Sequence, residues 1–133
     1  MRPLRWPRAW LGVWFAAIAL VIALSLVPPP PMPLQPPHNF DKLLHLGAYF
    51  ALAFGAAQLF GRWRWLFGIA LGLMALGIAM EVAQAALVPH LRMLDPWDAL
   101  ANTVGVVLGT ALAATPLAGL LARIERALAE RFC

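Results

Sequence analysis

Four apolar stretches of about 20 residues each take up most of this chain and decide what it can fold into. A membrane-spanning helix needs about 20 consecutive apolar residues, because each residue adds about 1.5 Å of length and the hydrocarbon core is about 30 Å thick. We therefore predict an all-α, polytopic membrane protein in which four transmembrane helices form a bundle. The predicted spans are residues 10–27, 42–60, 66–88 and 98–120.

The composition leaves no room for a separate soluble domain. Of the 133 residues, 62% are hydrophobic and only 12% are charged, and the mean hydropathy is +0.77. A soluble domain of this length needs far more charge on its surface, so we predict a single membrane domain over residues 1–133. The only cysteine is Cys133, which excludes an intramolecular disulfide and a cysteine-based metal site.

The positive charges predict the orientation of the chain. Lys and Arg occur in short clusters beside the apolar stretches, a pattern that orients membrane helices, so we expect no nucleic-acid partner despite a net charge of +4. Eight of the ten lie in the amino-terminal segment, the loop between the second and third spans, and the tail; Lys42 and Arg92 lie on the other side. Since positive loops stay in the cytoplasm, both termini are predicted there, in a multi-pass protein of the inner (cytoplasmic) membrane.

A proline-rich connector follows the first apolar stretch. Residues 28–37 contain seven prolines, which predicts a stiff, extended connector exposed to water on the periplasmic side. The stretch before it is either an uncleaved anchor or a signal peptide cleaved near residues 23–25. Its length and its tryptophans favour the anchor, and the predicted orientation is the same in both cases.

Two glycine pairs predict close helix packing. Gly68 and Gly72 lie four residues apart in the third span, and Gly105 and Gly109 do so in the fourth. Small residues at this spacing let helix backbones approach closely in a membrane. Either face is a candidate for homo- or hetero-oligomer formation.

Polar and ionisable residues occur near the outer ends of three predicted spans, and we call them the polar cluster. They are Asp41, Lys42, His45, Glu81, Gln84, Arg92, Asp95, Asp98 and Asn102. At ~1.5 Å per residue, His45, Glu81 and Asn102 are expected roughly 6 to 10 Å below the outer boundary, all at one level. A carboxylate at the depth of Glu81 costs several kcal/mol unless it is paired, protonated or hydrated.

Each member of the polar cluster has a functional and a structural interpretation. His45, one turn from Asp41, is a candidate general base, a metal ligand or a hydrogen-bonded interfacial histidine. Asp95 and Asp98 are candidate helix caps, and Asp98 is also a catalytic candidate. The catalytic candidates are His45, Glu81 and Asp98. The ligand-binding candidates are Asp41, Lys42, Gln84, Arg92, Asp95 and Asn102.

The charges of the polar cluster do not balance. Four carboxylates face the two permanent cations Lys42 and Arg92, which gives a net charge of −2 with His45 neutral. A bare phosphate-binding pocket should be positive, so simple anion capture is disfavoured. Protonation of Glu81, a bound divalent cation or a positively charged ligand would each compensate the excess negative charge. No short metal-binding motif is present, so no metal site is assigned from the sequence and the cofactor stays open.

The spacing of these residues resembles the VanZ-like family over roughly residues 10–120. The matching pattern is Asp41-Lys42-x-x-His45, then Glu81-x-x-Gln84, then Arg92-x-x-Asp95-x-x-Asp98-x-x-x-Asn102-x-x-Gly105. The family typically has an aromatic residue shortly after the histidine, whereas this chain has Leu46 and Gly47 there and Tyr49 a turn later. The resemblance implies a four-helix bacterial inner-membrane protein. The family's namesake is associated with low-level teicoplanin resistance, by a mechanism not established for the family.

Three classes of function follow from the cluster and the resemblance. The first is an enzyme or carrier for an envelope lipid intermediate, with the polar cluster at the periplasmic side. The second is a non-catalytic protein that binds or shields a glycopeptide or cell-wall precursor. The third is a structural partner subunit whose polar cluster only holds the bundle together.

Overall fold

The computed structural model describes residues 1–27, 39–87 and 95–132. These residues form five α-helices and two short 3-10 helices, with no strand among them, so the prediction of an all-α chain is confirmed for the described ranges. The α-helices are α1 (Pro7–Leu26), α2 (Phe40–Leu59), α3 (Trp63–Leu87), α4 (Pro96–Ala111) and α5 (Leu120–Phe132). The predicted connector at 28–37, Arg92 and Cys133 lie outside the described residues.

Three of the described helical segments are long and apolar enough to cross a membrane, which is compatible with a membrane protein. They are Pro7–Leu26, Trp63–Leu87 and Pro96–Ala114. The second predicted span, α2, is not among them, because Asp41, Lys42 and His45 occupy its first two turns and Gln58 lies near its end. These polar residues lower the hydropathy of a helix that is otherwise apolar.

The fourth predicted span ends earlier than its apolar stretch. We expected a helix to residue 120, whereas α4 ends at Ala111 and is followed by the 3-10 helices Leu112–Ala114 and Pro116–Gly119. The break is at Thr115, whose backbone is extended (φ −106°, ψ 165°). Pro116 disfavours the helical conformation for the residue before it, which is Thr115. The Thr115 side chain also accepts a hydrogen bond from the Leu117 N–H. The remainder of the tail forms the separate, amphipathic α5.

Helix α2 lies between the other three long helices and contacts α4 most extensively. The two run in the same direction, with Gly105 of α4 against the backbone of Leu46 and Gly109 against that of Phe50. A β-carbon at Gly105 would overlap the Leu46 carbonyl oxygen. The Gly105/Gly109 face, predicted as one of two candidate oligomer faces, is therefore covered by α2 within the chain.

Helices α1 and α3 run opposite to α2. Ser25, near the end of α1, meets Gln84, near the end of α3, at the level where α2 begins. At the other end, the Arg2 N–H donates to the Leu59 carbonyl oxygen at 2.7 Å. Residues Gly68 and Gly72 of α3 face open space, with no atom within 4 Å of an added β-carbon. The face predicted from this second glycine pair is thus uncovered in the single chain.

A buried carboxylate fastens the tail to the amino-terminal segment. Glu125 of α5 is only 3% exposed and accepts hydrogen bonds from the backbone N–H groups of Arg5 (2.7 Å) and Trp6 (3.3 Å). It also accepts one from the indole N–H of Trp10 at 2.7 Å. We call these four residues the tail clasp. It holds both ends of the chain at the end of the molecule opposite Lys42.

Candidate functional site

Lys42 joins the start of α2 to the start of α4. Its Nζ lies 2.7 Å from Asp95 Oδ2 and 3.1 Å from Asp98 Oδ1. The Asp98 side chain is 9% exposed, whereas that of Asp95 is 37% exposed. One ammonium group therefore bridges two carboxylates that stand one turn apart at a helix start.

Asp95 is the N-cap of α4, as the sequence predicts. Its Oδ1 accepts a hydrogen bond from the Trp97 N–H at 2.9 Å, and Pro96 occupies the first helical position, where a missing N–H costs nothing. The Lys42 ammonium, followed by the Trp97 N–H, lowers the pKa of the Asp95 carboxyl below its ordinary value. Asp98 lies within the first turn and contacts Lys42 rather than capping the helix.

His45 lies where α2, α3 and α4 meet. Its Nδ1 is 3.1 Å from Asn102 Oδ1 on α4 and 3.6 Å from Glu81 Oε1 on α3. On the opposite edge of the ring, Nε2 is 3.9 Å from Asp41 Oδ1 one turn earlier. Because an amide oxygen only accepts, the contact with Asn102 places the proton of a neutral imidazole on Nδ1. The lone pair of Nε2 is then left on the side of Asp41.

The α3 members of the cluster are both buried. Glu81 is 4% exposed and presents Oε1 toward His45. Gln84, 3% exposed, donates from Nε2 to the Ser25 carbonyl oxygen of α1 at 2.8 Å. Gln84 was predicted to bind a ligand, and the structure shows that it also ties α3 to α1.

Gly77 makes room for this arrangement and was missed by the sequence interpretation. A β-carbon there would lie 3.1 Å from Asn102 Cβ and 3.4 Å from Tyr49 Cε1. Gly77 lies four residues, or about one helical turn, before Glu81, so both lie on the same face of α3. This four-residue spacing from Glu81 is the feature of the sequence that could have identified Gly77.

A cavity of about 240 Å³ opens beside His45, between α1, α2 and α3. Its polar lining comes from Asp41, His45, Tyr49 and Gln84. The remaining lining is mostly apolar and comes from residues 21, 24 and 25 of α1 and residues 44 and 48 of α2, none of which was predicted as a site residue. On the other side of α2, Lys42, Asp95 and Trp97 line a second recess.

Two buried polar atoms, one on α2 and one on α4, have no hydrogen-bond partner within the ranges the structure describes. They are the hydroxyl oxygen of Tyr49, which is 2% exposed, and Nδ2 of Asn102, which is 1% exposed. Buried polar groups in proteins are nearly always satisfied, by protein atoms, ordered water or a ligand. The first of these atoms belongs to a residue that lines the cavity.

The structure brings eight of the nine predicted cluster residues to one end of the molecule. They are Asp41, Lys42, His45, Glu81, Gln84, Asp95, Asp98 and Asn102. Arg92 lies outside the described residues. Comparison with family models, curated proteins and solved structures finds no match. The resemblance to the VanZ-like family therefore rests on residue spacing alone, and the catalytic or binding role of each residue stays a prediction.

Proposed function

We propose that this chain is a VanZ-like protein of the bacterial inner membrane, built as a four-transmembrane-helix bundle with both termini in the cytoplasm. Three apolar helices support this, as does the alternating direction of α1 to α4. The polar start of α2 is compatible with a span because Lys42 pairs with α4 and His45 contacts both α3 and α4. The polar cluster then lies on the periplasmic side.

The function best supported is binding of an envelope lipid or a related cell-wall precursor at this cluster. The observation that carries it is the convergence of buried polar groups beside a cavity. A cluster that served only to hold the helices together would pair off without leaving such a space. One wall of the cavity is apolar and the other carries Asp41 and His45, which fits an amphiphile better than a fully polar solute.

Binding of undecaprenyl phosphate to the purified full chain in detergent tests this proposal. We expect saturable binding, weakened about 10-fold or more in Lys42→Ala, which removes the ammonium group paired with Asp95 and Asp98, and in His45→Ala, which removes a polar group from the cavity wall. Glu130→Gln, which changes an exposed carboxylate of α5, should bind like the wild type. Equal binding by all four proteins, or none by the wild type, would contradict the proposal.

The same experiment separates the competing functions. Saturable teicoplanin binding without lipid binding would support glycopeptide shielding and a direct link to resistance. Absence of binding to either compound, with Lys42→Ala and His45→Ala less stable than the wild type, would support a purely structural cluster. Conversion of the lipid into a new product would support an enzyme.

An acid–base enzyme is the second candidate, and the geometry of His45 favours it. The ring lies between Asp41 on one edge and Glu81 with Asn102 on the other. A histidine whose tautomer is fixed from one side can accept a proton on the other. In this scheme His45 is the base, Glu81 and Asp98 are the neighbouring acids, and the substrate enters from the cavity.

A further inference from the structure

We infer that Asp41, His45 and Asp98 form a binding site for a divalent transition-metal ion at the outer end of α2 and α4. Each residue offers one ligand atom, and the three atoms lie within 4.8 Å of one another. Ligands of a Zn²⁺ ion stand about 2.0–2.2 Å from the metal and therefore about 3.4 Å from one another, so the three atoms have to move closer by up to about 1.4 Å. The Asp41 side chain is 56% exposed and has the freedom to do so.

His45 is prepared for metal binding by its other ring nitrogen. A metal-binding imidazole almost always donates its second N–H to a carboxylate, a carbonyl or a similar acceptor, which fixes its tautomer and orientation. Here Nδ1 is held by Asn102 Oδ1 at 3.1 Å, with Glu81 Oε1 behind it at 3.6 Å. The unprotonated Nε2 is left on the side of Asp41, where the ion would bind.

The buried Tyr49 hydroxyl, which has no hydrogen-bond partner in the described ranges, belongs to a residue beside the inferred metal site. Tyr49 lines the same cavity as Asp41 and His45, is 2% exposed, and makes no hydrogen bond from its hydroxyl within the described ranges. Three protein ligands leave at least one position on the ion for water or another oxygen ligand. The Tyr49 hydroxyl oxygen is itself enclosed, so its ring has to shift for it to bond a metal-bound water in the cavity.

The charges agree with a cation at this position. Lys42 contacts Asp98 through Oδ1, and a carboxylate has two oxygens, so Asp98 is able to keep this ion pair while binding metal. An added divalent ion would offset the −2 charge of the cluster. It would also remove the electrostatic objection to a phosphate-bearing lipid. Imidazole and carboxylate donors together favour Zn²⁺ or Mn²⁺ over Mg²⁺, which prefers oxygen ligands alone.

Metal titration of the full chain tests this inference without any lipid, so its outcome is independent of the proposed function. The chain is purified in detergent through a histidine-free affinity tag, treated with a chelator, and titrated with Zn²⁺ or Mn²⁺ by calorimetry. We expect one ion per chain. Titration with Co²⁺ should produce visible absorption bands that are lost in His45→Ala.

Variants of the three ligands decide whether the ion binds where we infer. Asp41→Asn is the cleanest because the side chain is exposed and its change leaves the packing intact. Asp41→Asn, His45→Ala and Asp98→Asn should each weaken binding by about 10-fold or more, and Asn102→Ala by about 10–100-fold through loss of support to His45. Glu130→Gln is the matched control and should bind normally. Melting temperatures show which variants remain folded.

Two results would overturn the inference. One is a wild-type chain that binds neither ion more tightly than buffer components do. The other is a folded Asp41→Asn variant that binds with wild-type affinity together with an unchanged Co²⁺ spectrum in His45→Ala. If metal binds as expected and undecaprenyl phosphate does not, the result supports the metal site and contradicts the proposed lipid ligand.

Discussion

Glu81 is the single acidic residue of α3, and its side chain is only 4% exposed. Burying an ionisable side chain within an apolar membrane helix costs free energy. Its Oε1 faces His45 Nδ1 at 3.6 Å, the same nitrogen that contacts Asn102. The carboxylate therefore acts on the imidazole whichever function the cluster has. In an enzyme, Glu81 would adjust the basicity of His45. In a binding protein, it would hold the imidazole ring in place.

Replacing Glu81 by Gln separates these roles. The amide keeps the size of the side chain but does not act as an acid or a base at neutral pH. If Glu81 takes part in acid–base chemistry, we expect the envelope or resistance phenotype to fall by about 100-fold or more with membrane abundance unchanged. Phenotype strength and abundance are measured in the same cells, with Glu130→Gln as control. A fully active variant rules out this chemistry, and reduced abundance supports a structural role.

At the scale of helices, the contact between α2 and α4 depends on two glycines. An added β-carbon at Gly105 would overlap the Leu46 carbonyl oxygen, and one at Gly109 would lie 2.8 Å from Ala53 Cβ. Because these positions touch backbone, a side chain cannot be accommodated by rotation. The close approach also brings Lys42 to Asp95 and Asp98 and places Asn102 beside His45.

Gly105→Ala should therefore destabilise the chain. We expect a loss of about 1–3 kcal/mol, because forcing extra atoms into a packed contact displaces the backbone. Gly68→Ala is the matched control, since nothing lies within 4 Å of an added β-carbon there and alanine is the better helix former. Thermal unfolding in detergent measures both. A Gly105→Ala variant as stable as Gly68→Ala would show that the two helices pack less closely than described.

The sequence predicts the helices better than their partners. Long apolar stretches and the level of His45, Glu81 and Asn102 follow from helix rise and hydropathy alone, which are local properties. The helix that packs against Gly105 was not predictable. The spacing of the two glycines shows that one helix face carries small residues, but it does not show which helix covers that face. Glu125 was assigned only to an amphipathic tail, since its bonds to Arg5 and Trp10 span more than a hundred residues. The break in the helix at Thr115 was signalled by Pro116 and overlooked.

For the whole molecule, the tail clasp joins both termini at one end and leaves the polar cluster at the other. Burial raises the pKa of the Glu125 carboxyl, but hydrogen bonds from the Arg5 N–H, the Trp10 indole and the Trp6 N–H outweigh it. The net result is a pKa below the ordinary value of 4.5. The folded chain thus favours the ionised form.

This shift predicts a pH dependence of stability. Because folding lowers the pKa, the stabilisation by Glu125 is complete above the ordinary value of 4.5 and is lost as the pH falls through the folded-state pKa. Glu125→Gln should lower stability by about 1–3 kcal/mol at neutral pH. The gap to the wild type should close on acidification, whereas Glu130→Gln should match the wild type throughout. Thermal unfolding at a series of pH values measures this, and a gap independent of pH would contradict it.

The orientation of the whole molecule decides whether the polar cluster is able to meet an envelope ligand. In a chain carrying Cys133→Ser, the substitutions Asp41→Cys and Glu130→Cys each introduce one thiol at an exposed position, at opposite ends of the molecule. A maleimide that does not cross the inner membrane is applied to intact cells and to permeabilised cells. We predict labelling of Asp41→Cys in intact cells and of Glu130→Cys only after permeabilisation. The reverse pattern would place the polar cluster in the cytoplasm and contradict the account.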